Sequence, residues 1–448
     1  MIPGELWTLK DLFVLPNEYI YWSIQIVMYP FMTGLVAGSF VLSSLYHVFG
    51  IKQLKGIASF ALVLCFALLP AAMLPLILHL QSPFRGINVL MTPHFTSAIA
   101  AFGVVFSTYF AIVASELWFL YRRHFVERSL SLKKRAHKSV TEKLSYILFT
   151  VLTLGSFDIT QQAQHKDEKA IKVLATAGIP VALFLHGYAG FIFGSVKANA
   201  LWMTPLMPVI FIMSAIVSGI ALCMLTYIVT MELRKLLLIL ARREQSQLES
   251  LSMVQSKTSA LERREEIKSV EISVIKMTSR YLIFFLVFAI SLELLDLIFR
   301  GYTGIASWDV LSSVLFGKDF TKIFVLQYGL GNLVPLILLL IPGLTIRRTI
   351  VGVTLVMFGV FMMRWNVVIG GQAFSLSLAG YMEYLLPVIP HSLETFKEGV
   401  AGALTVLVFP FVLFYFYTKV FPVFAPSEEG VGAVQRTQRL SRQQYSSR

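Results

Sequence analysis

The chain has 448 residues, of which 56% are hydrophobic and only 14% are charged, and this composition excludes an ordinary soluble enzyme because a soluble domain needs a charged surface. A net charge of +13 is typical of a membrane protein whose Lys and Arg collect in cytoplasmic loops, so we expect no nucleic-acid partner. Two cysteines, Cys65 and Cys223, without a CxxC spacing are too few for a disulfide framework or an iron–sulfur site.

Nine apolar stretches are long enough to cross the hydrocarbon core of a membrane, which is roughly 30 Å thick and takes about 20 residues of helix. They lie at 19–48, 56–80, 95–121, 170–195, 203–233, 277–299, 320–342, 346–366 and 400–422. We therefore predict an all-α integral membrane protein with about nine transmembrane helices. A tenth candidate, 144–157, has only fourteen residues, and ten helices would result if it also crossed.

The distribution of Lys and Arg orients these spans, because basic residues collect on the cytoplasmic side. If 144–157 lies in the interface or re-enters the membrane, about 30 of the 38 Lys and Arg are cytoplasmic and about 7 are outside. The sequence thus predicts a multi-pass protein of the cytoplasmic (inner) membrane with its N-terminus outside and its C-terminus cytoplasmic. The polar insertion 234–276 then forms cytoplasmic helices, and 426–448 is a disordered cytoplasmic tail.

Polar side chains inside the spans converge on the outer half of the membrane. A charged group at the centre of a transmembrane helix costs roughly 2.5–3.5 kcal/mol, so several at one depth indicate a shared polar pocket or a proton path. His79 and Arg364 lie at span ends and could equally reach the headgroups. His186 and Glu293 lie deeper, which favours a functional role for these two residues. The converging residues are Gln25, Tyr29, His79, His186, Glu293, Asp296 and Arg364.

The chemistry that such a pocket can support is proton exchange with an organic ligand. A quinone site needs a His or an acid to exchange a proton with one ring oxygen, a second donor for the other oxygen, and apolar walls. A bis-histidine haem needs two His at matched depth, which His79 and His186 could supply, but no second pair completes an electron wire across the membrane. No metal-binding motif, P-loop or dinucleotide fingerprint appears, and we predict no metal site.

The run RWNVVIGGQ at 364–372 combines a charge, two amides and two glycines at the end of the eighth span. Its Arg is expected to reach the headgroups or to pair with an acid such as Asp296. Its glycines would let the backbone turn sharply, and its amides would satisfy backbone groups at the helix end. We interpret the run as a structural corner and docking edge formed by Arg364, Asn366, Gly370, Gly371 and Gln372.

Four stretches of the chain resemble the NrfD/PsrC-like family, whose members are membrane subunits of respiratory molybdopterin, hydrogenase and sulfur-metabolism complexes. Within the family the chain is most similar to the long form found as the DsrP subunit of sulfite-reduction-associated complexes. The stretches are YPFMTGLVAGSF (29–40), HLQSPFRGINVLMTPHFTS (79–97), HGYAGFIFGSVKANALWMTPLMPVIFIMSAIVSGIAL (186–222), and RWNVVIGGQ (364–372) followed by LETFKEG (393–399).

The resemblance implies a pair of four-helix bundles plus an extra helix. The corresponding boundaries are 1–195 and 196–366 for the bundles, 367–399 for an outer loop and 400–425 for the last transmembrane helix. The resemblance further implies an exchangeable menaquinone on the outer face and no haem or iron–sulfur cluster of the chain's own. An extracytoplasmic ferredoxin-like iron–sulfur subunit is expected to dock there, alongside other membrane and redox subunits.

The quinone ligands of the family lie near the outer end of the first span, and the positions here that match them best are Gln25 and Tyr29. The family usually has an Asp at the position of His79, so a proton role for this His is an expectation. His186 is expected beside the quinone as well, and Glu293 and Asp296 join it as candidates for proton exchange.

Three functions stay open from the sequence alone. The first is a quinone-reactive subunit that exchanges electrons between menaquinone and the iron–sulfur partner in sulfur-compound metabolism. The second is a purely structural membrane anchor, which fits the outer loops equally well. The third is a proton-coupled transporter, although transporters place polar residues at the midplane between broken helices and the polar groups here lie off-centre. A path for pumped protons could begin or end at Glu116, whose position near an inner span end also lets it reach the headgroups.

Overall fold

The computed structural model describes residues 20–94, 98–133, 139–196, 199, 201–248, 257–304, 308–373 and 381–423, and the regular elements in these ranges are helices. The predicted tail 426–448 lies outside the described residues. Nine helices in the described ranges are long and apolar enough to cross a membrane, which confirms the predicted all-α membrane fold. We number them α1 Ile24–His47, α2 Lys52–His79, α3 Ala100–Lys133, α4 Gln161–Gly194, α5 Met207–Leu237, α6 Ile272–Thr303, α7 Thr321–Leu340, α8 Ile346–Gly370 and α9 Val400–Val420.

Several of these helices depart from a single regular rod. The helix of α5 continues to Leu248, and that of α6 begins at Lys257, so both extend into the polar insertion. The second span is interrupted after Ala71 and resumes as a short helix over Leu74–His79 with Pro75 in its first turn, where a proline needs no hydrogen-bond partner. The first part of α7, Thr321–Leu333, is a π-helix, and α8 ends in a π-helical turn over Asn366–Gly370.

The short segment predicted at 144–157 forms a helix over Val140–Leu152, which is not among the nine long ones. It packs against α3, where the Trp118 indole donates a hydrogen bond to the carbonyl of Leu152 at 2.8 Å. The Phe149 ring lies 6.3 Å from that of Phe125. The interfacial position of this helix, like the orientation of the termini, stays a prediction.

The centre of the protein is the crossing of α1 and α5. α1 packs against α2, α4, α5, α8 and α9, and α5 packs against α1, α4, α6 and α8. Two glycines meet where they cross: a Cβ on Gly219 would collide with the backbone of Gly38, and one on Gly38 would collide with the Ala215 carbonyl. Small residues at such crossings let two helix backbones approach closely in a membrane, where apolar packing against lipid gives no advantage.

The end of α8 does not form the sharp glycine turn that the sequence suggested. Gly371 keeps helical dihedrals (φ −63°, ψ −28°), so this prediction was wrong. The residue has another function in packing, because any Cβ there would collide with the Trp202 indole, whose Nε1 donates to the Val367 carbonyl at 2.5 Å. Asn199 also donates to the Gly371 carbonyl at 2.7 Å. The α4–α5 connection is thereby fixed to the end of α8.

We expect Gly219→Leu to destabilise the protein strongly, because the new side chain would force α1 and α5 apart. Overpacking of a tight core typically costs about 1–3 kcal/mol and sometimes more. Thermal unfolding of the detergent-solubilised protein measures the effect. Gly317→Ala is the control, since a Cβ at Gly317 meets nothing within 4 Å. Equal unfolding temperatures for the two variants would contradict the close crossing.

Candidate functional site

A polar group at the start of α1 joins three parts of the chain. Ser23 caps α1 with extended backbone (φ −84°, ψ −173°), and its hydroxyl accepts a hydrogen bond from the backbone N–H of Gln25 at 3.2 Å. The same hydroxyl donates to the Glu398 carboxylate, which precedes α9. His79, at the end of α2, donates from Nδ1 to Glu398 Oε2 at 3.0 Å. We call Ser23, Gln25, His79 and Glu398 the Gln25 cluster.

Gln25 is fully buried in this cluster, and one of its polar atoms is unsatisfied. Its Nε2 donates to the Lys397 carbonyl, and Gly402 of α9 leaves the space that this amide needs, since a Cβ there would lie 2.7 Å from Nε2. Its Oε1 has no hydrogen-bond partner among the described residues. A buried acceptor left unpaired costs roughly 1–3 kcal/mol, so this oxygen is available to a ligand that donates a hydrogen bond.

An aromatic wall begins one turn further along α1. The buried Tyr29 ring meets Phe102 of α3 edge-on at 5.7 Å, and Phe102 stacks at 6.5 Å on Tyr188 of α4. The Tyr188 hydroxyl is buried and has no hydrogen-bond partner among the described residues. Phe184 and Phe191 continue the wall outward and are 56% and 49% exposed, so in a membrane they face lipid.

The charge of Glu398 depends on its neighbours. Burial by itself raises the pKa of this carboxyl group, but the hydrogen bonds from His79 and Ser23, together with the charges of His79 and Lys397, outweigh burial and hold the pKa below its usual range. Glu398 is therefore an ionised acceptor for His79 at neutral pH.

A second polar group lies deeper, where α1, α4, α5 and α8 meet. Arg364 Nη2 donates to His186 Nε2 at 3.0 Å and to Ser214 Oγ at 2.7 Å. Because a guanidinium can only donate, His186 Nε2 accepts and its Nδ1 carries the proton toward Thr33 Oγ1 at 3.3 Å. Thr33 in turn donates to the Tyr29 carbonyl at 3.0 Å. We call His186, Arg364, Ser214 and Thr33 the Arg364 cluster.

Arg364 is buried among helices and neither reaches the surface nor pairs with Asp296, which corrects the expectation from the sequence. Its side chain is 0% exposed, and its guanidinium lies 3.7 Å from the centre of the Phe211 ring. It forms no ion pair with a described residue, and Asp296 binds Arg300 at 3.0 Å and the Thr204 hydroxyl at 2.5 Å instead. The predicted position of Arg364 came from the apparent end of the eighth apolar stretch. In the structure α8 continues beyond Arg364 for another turn, so this residue lies inside the protein.

Glu293 lies in a third polar group, between α6, α7 and the end of α8. Its carboxylate accepts from Gln327 Nε2 at 2.9 Å, and Gln327 Oε1 accepts from Asn366 Nδ2 at 2.8 Å. Gln372 ties the same end of α8 to α1, since it accepts from the Trp22 amide at 3.1 Å and donates to the Val368 carbonyl at 2.8 Å. Asn366 and Gln372 thus bind other parts of the chain internally.

Glu116, for which the sequence left a proton path and contact with the headgroups both open, lies inside the protein. It is 0% exposed, and its Oε1 accepts from His47 Nδ1 at 3.0 Å. The pair joins the end of α1 to α3. His47 Nε2 and Glu116 Oε2 are buried without a hydrogen-bond partner among the described residues.

The sequence profile of the family described as polysulphide reductase, NrfD, matches residues 15–244 and 245–376. The chain belongs to the NrfD family. Its multi-pass membrane architecture agrees with this assignment. Among the residues that the structure describes, no group of three or more His, Cys, Asp or Glu could hold a metal ion.

The chain is similar to subunits of two reductases and of an oxidoreductase. A selenate reductase subunit of Mesobacillus selenatarsenatis is 34% identical over 217 residues, which are 47% of this chain and 49% of the relative. A putative dimethyl sulfoxide reductase membrane subunit of Halobacterium salinarum is 26% identical, over 76% of this chain and 66% of the relative. An Hdr-like menaquinol oxidoreductase integral membrane subunit of Archaeoglobus fulgidus is 26% identical, over 46% of this chain and 41% of the relative. The chain spans less than two thirds of the length of each.

The structure brings together some of the residues predicted from the NrfD resemblance and separates others. Gln25 binds Ser23 and the Lys397 carbonyl, and His79 joins them through Glu398, which Ser23 also binds. Tyr29 lies one turn away. His186 belongs to the deeper cluster, with both ring nitrogens bound to protein side chains. Five residues of these groups were not predicted from the sequence as site residues, namely Ser23, Tyr188, Ser214, Gln327 and Glu398. Of these, Glu398 lies in the acidic stretch LETFKEG.

We expect His79→Ala to raise the pKa of Glu398, because it removes a hydrogen bond and a neighbouring charge. A carboxyl group with a lowered pKa adds stability above the unfolded-state pKa of about 4.3, and that stability is lost as the pH falls toward the folded-state pKa. Acid titration of the carboxylate by infrared difference spectra against Glu398→Gln locates the midpoint. His391→Ala, an exposed His on the same loop, is the control. A midpoint unchanged by His79→Ala would refute the pairing.

Proposed function

We propose that this NrfD-family chain is the quinone-reactive membrane subunit of a multi-subunit oxidoreductase. It exchanges electrons between menaquinone or menaquinol and an extracytoplasmic ferredoxin-like iron–sulfur subunit, in a complex of sulfur-compound metabolism in the inner membrane. The family membership supports a redox subunit, and the name of the Archaeoglobus fulgidus relative supports menaquinol as the electron carrier. The sulfur chemistry rests on the resemblance to the long DsrP form.

The Gln25 cluster and the aromatic wall beside it fit a quinone. The single observation that carries the proposal is the unpaired, fully buried Gln25 Oε1, which can accept a hydrogen bond from a hydroxyl of the reduced ring. The unpaired Tyr188 hydroxyl can donate to a ring oxygen. The rings of Tyr29, Phe102 and Tyr188 supply apolar walls that continue to the lipid-facing side.

Some residues of the chain would bind the quinone, and another would exchange protons with it. A bound menaquinone supplies the two-electron, two-proton redox chemistry, which the protein side chains lack. Gln25, Tyr29 and Tyr188 would bind and orient it. His79 would exchange protons through the nitrogen that faces away from Glu398, while the carboxylate holds the ring and balances its charge.

The outer loops support a docked redox partner close to this site. The proposed electron exchange needs a redox partner near the quinone, and the Gln25 cluster lies at the helix ends next to the loops at which such a partner could dock. Soluble surfaces rarely expose so many large apolar side chains together unless a partner covers them. Those on the loops that flank His79 and Glu398 are Phe84, Leu385, Val388, Ile389 and Leu393.

We expect Gln25→Ala and Tyr188→Phe each to lower kcat/KM for quinol turnover by the intact complex about tenfold or more. Loss of one hydrogen bond worth about 1.4 kcal/mol in the transition state corresponds to a tenfold rate change. Gln162→Ala is the matched control, because Gln162 is exposed at the start of α4. Assembly is checked by co-purification of the other subunits.

His79→Ala in the same assay should flatten the pH dependence of turnover, since it removes the proposed proton-exchanging group. If all three variants assemble and turn over quinol at the rate of the unaltered complex, the Gln25 cluster is not the quinone site. A purified chain that binds no quinone would be a structural anchor, and the proposed function would fail. Solute transport by the purified chain in liposomes without partners would instead identify the transporter.

A further inference from the structure

The charge of Arg364 raises a question that the proposed quinone site does not answer. The guanidinium is fully buried, and its polar contacts are the neutral groups His186, Ser214 and the Phe211 carbonyl together with the Met363 sulfur. Its Nε has no hydrogen-bond partner among the described residues. A buried charge without a counter-charge is strongly destabilising, so we expect a nearby anionic group to compensate the charge of the guanidinium.

A cavity lies on the side of the Arg364 cluster that faces α6. Its volume is about 10 Å³, which is room for roughly one water molecule. Apolar side chains of α5, α6 and α8 form most of its wall. The polar residues that line it are Ser214, which binds Arg364, together with Glu293 and Asn332.

The hydrogen bonds around the cavity leave acceptors open to a water molecule. Ser214 Oγ donates to the Phe211 carbonyl at 3.0 Å and accepts from Arg364, so one lone pair of the hydroxyl remains. The Glu293 carboxylate accepts hydrogen bonds from Gln327 Nε2, on Oε2, and from Tyr328, and the two oxygens of a carboxylate offer about four acceptor positions. A water molecule between them can donate one hydrogen to each, and the Asn332 amide supplies a third polar group. Buried waters typically make about three such bonds.

We propose that this cavity holds one bound water, which bridges the Ser214 hydroxyl and the Glu293 carboxylate and makes Glu293 the counter-ion of Arg364. The connection runs from His186 on α4 through Arg364 on α8 and Ser214 on α5 to Glu293 on α6. It therefore joins the helices of the first half of the chain electrostatically to those of the second. The inference does not depend on the quinone reaction.

The competing counter-ion, Asp296, is bound elsewhere. It lies one turn from Glu293 on α6, but its carboxylate binds Arg300 and Thr204. Asp296 is thus a matched control for Glu293, because it is also an acid and lies on the same helix. Neutralising Asp296 removes the carboxylate that Arg300 binds, whereas neutralising Glu293 removes the proposed counter-ion of Arg364.

A double-mutant cycle on thermal unfolding of the purified protein tests the coupling. Glu293→Gln should lower the unfolding temperature in the presence of Arg364 and should lower it much less, or raise it, in an Arg364→Met background. Asp296→Asn should cause the same shift in both backgrounds. Additive shifts for the Glu293 and Arg364 substitutions would overturn the proposal, since groups that do not interact have independent effects.

A second measurement keeps the proposal testable if Arg364→Met does not fold. A high-resolution cryo-electron microscopy map of the unaltered protein should show density for one water within hydrogen-bond distance of both Ser214 Oγ and Glu293. Ser214→Val, which fills the space and removes the hydroxyl, should abolish that density and lower the unfolding temperature. A map with clear side-chain density and an empty cavity, or a water that contacts only one of the two residues, would refute the bridge.

Discussion

The burial of one guanidinium constrains the arrangement of the central helices. Arg364 belongs to α8, yet its hydrogen bonds go to His186 of α4 and to Ser214 of α5. A charge removed from water is tolerated only where such partners are already in position, so these three helices have to meet at one depth. The glycine crossing of Gly38 and Gly219 brings α1 to the same place and lets Thr33 complete the bonds of His186.

The two polar groups of the first four helices are separate but connected along α1. The Gln25 cluster occupies the start of the helix, and the Arg364 cluster lies about two turns further on. Tyr29 stands between them, with its ring in the aromatic wall and its carbonyl bound by Thr33. A displacement of α1 would therefore affect the hydrogen bonds of His186 and the proposed ligand pocket together.

Hydropathy was sufficient to predict the nine helices, because a membrane span requires an apolar run that few other structures need. Depth along a helix was a poorer guide to contacts, since it does not tell which face points inward. For this reason the sequence left contact with the headgroups open for both Arg364 and Glu116, and both side chains are buried in the protein. Glu398 meets Ser23 across 375 positions of sequence, and only the packing of α9 on α1 brings such residues together.

The unpaired oxygen of Gln25 also links ligand occupancy to folding. A ligand that donates a hydrogen bond to this atom removes an unfavourable feature of the folded state and has no equivalent site in the unfolded chain. Occupancy of the pocket would then stabilise α1 against α2 and α9 by mass action. If the proposed ligand binds there, extraction into detergent, which dilutes lipid-soluble molecules, would weaken the packing at this end of the protein before it affects the centre.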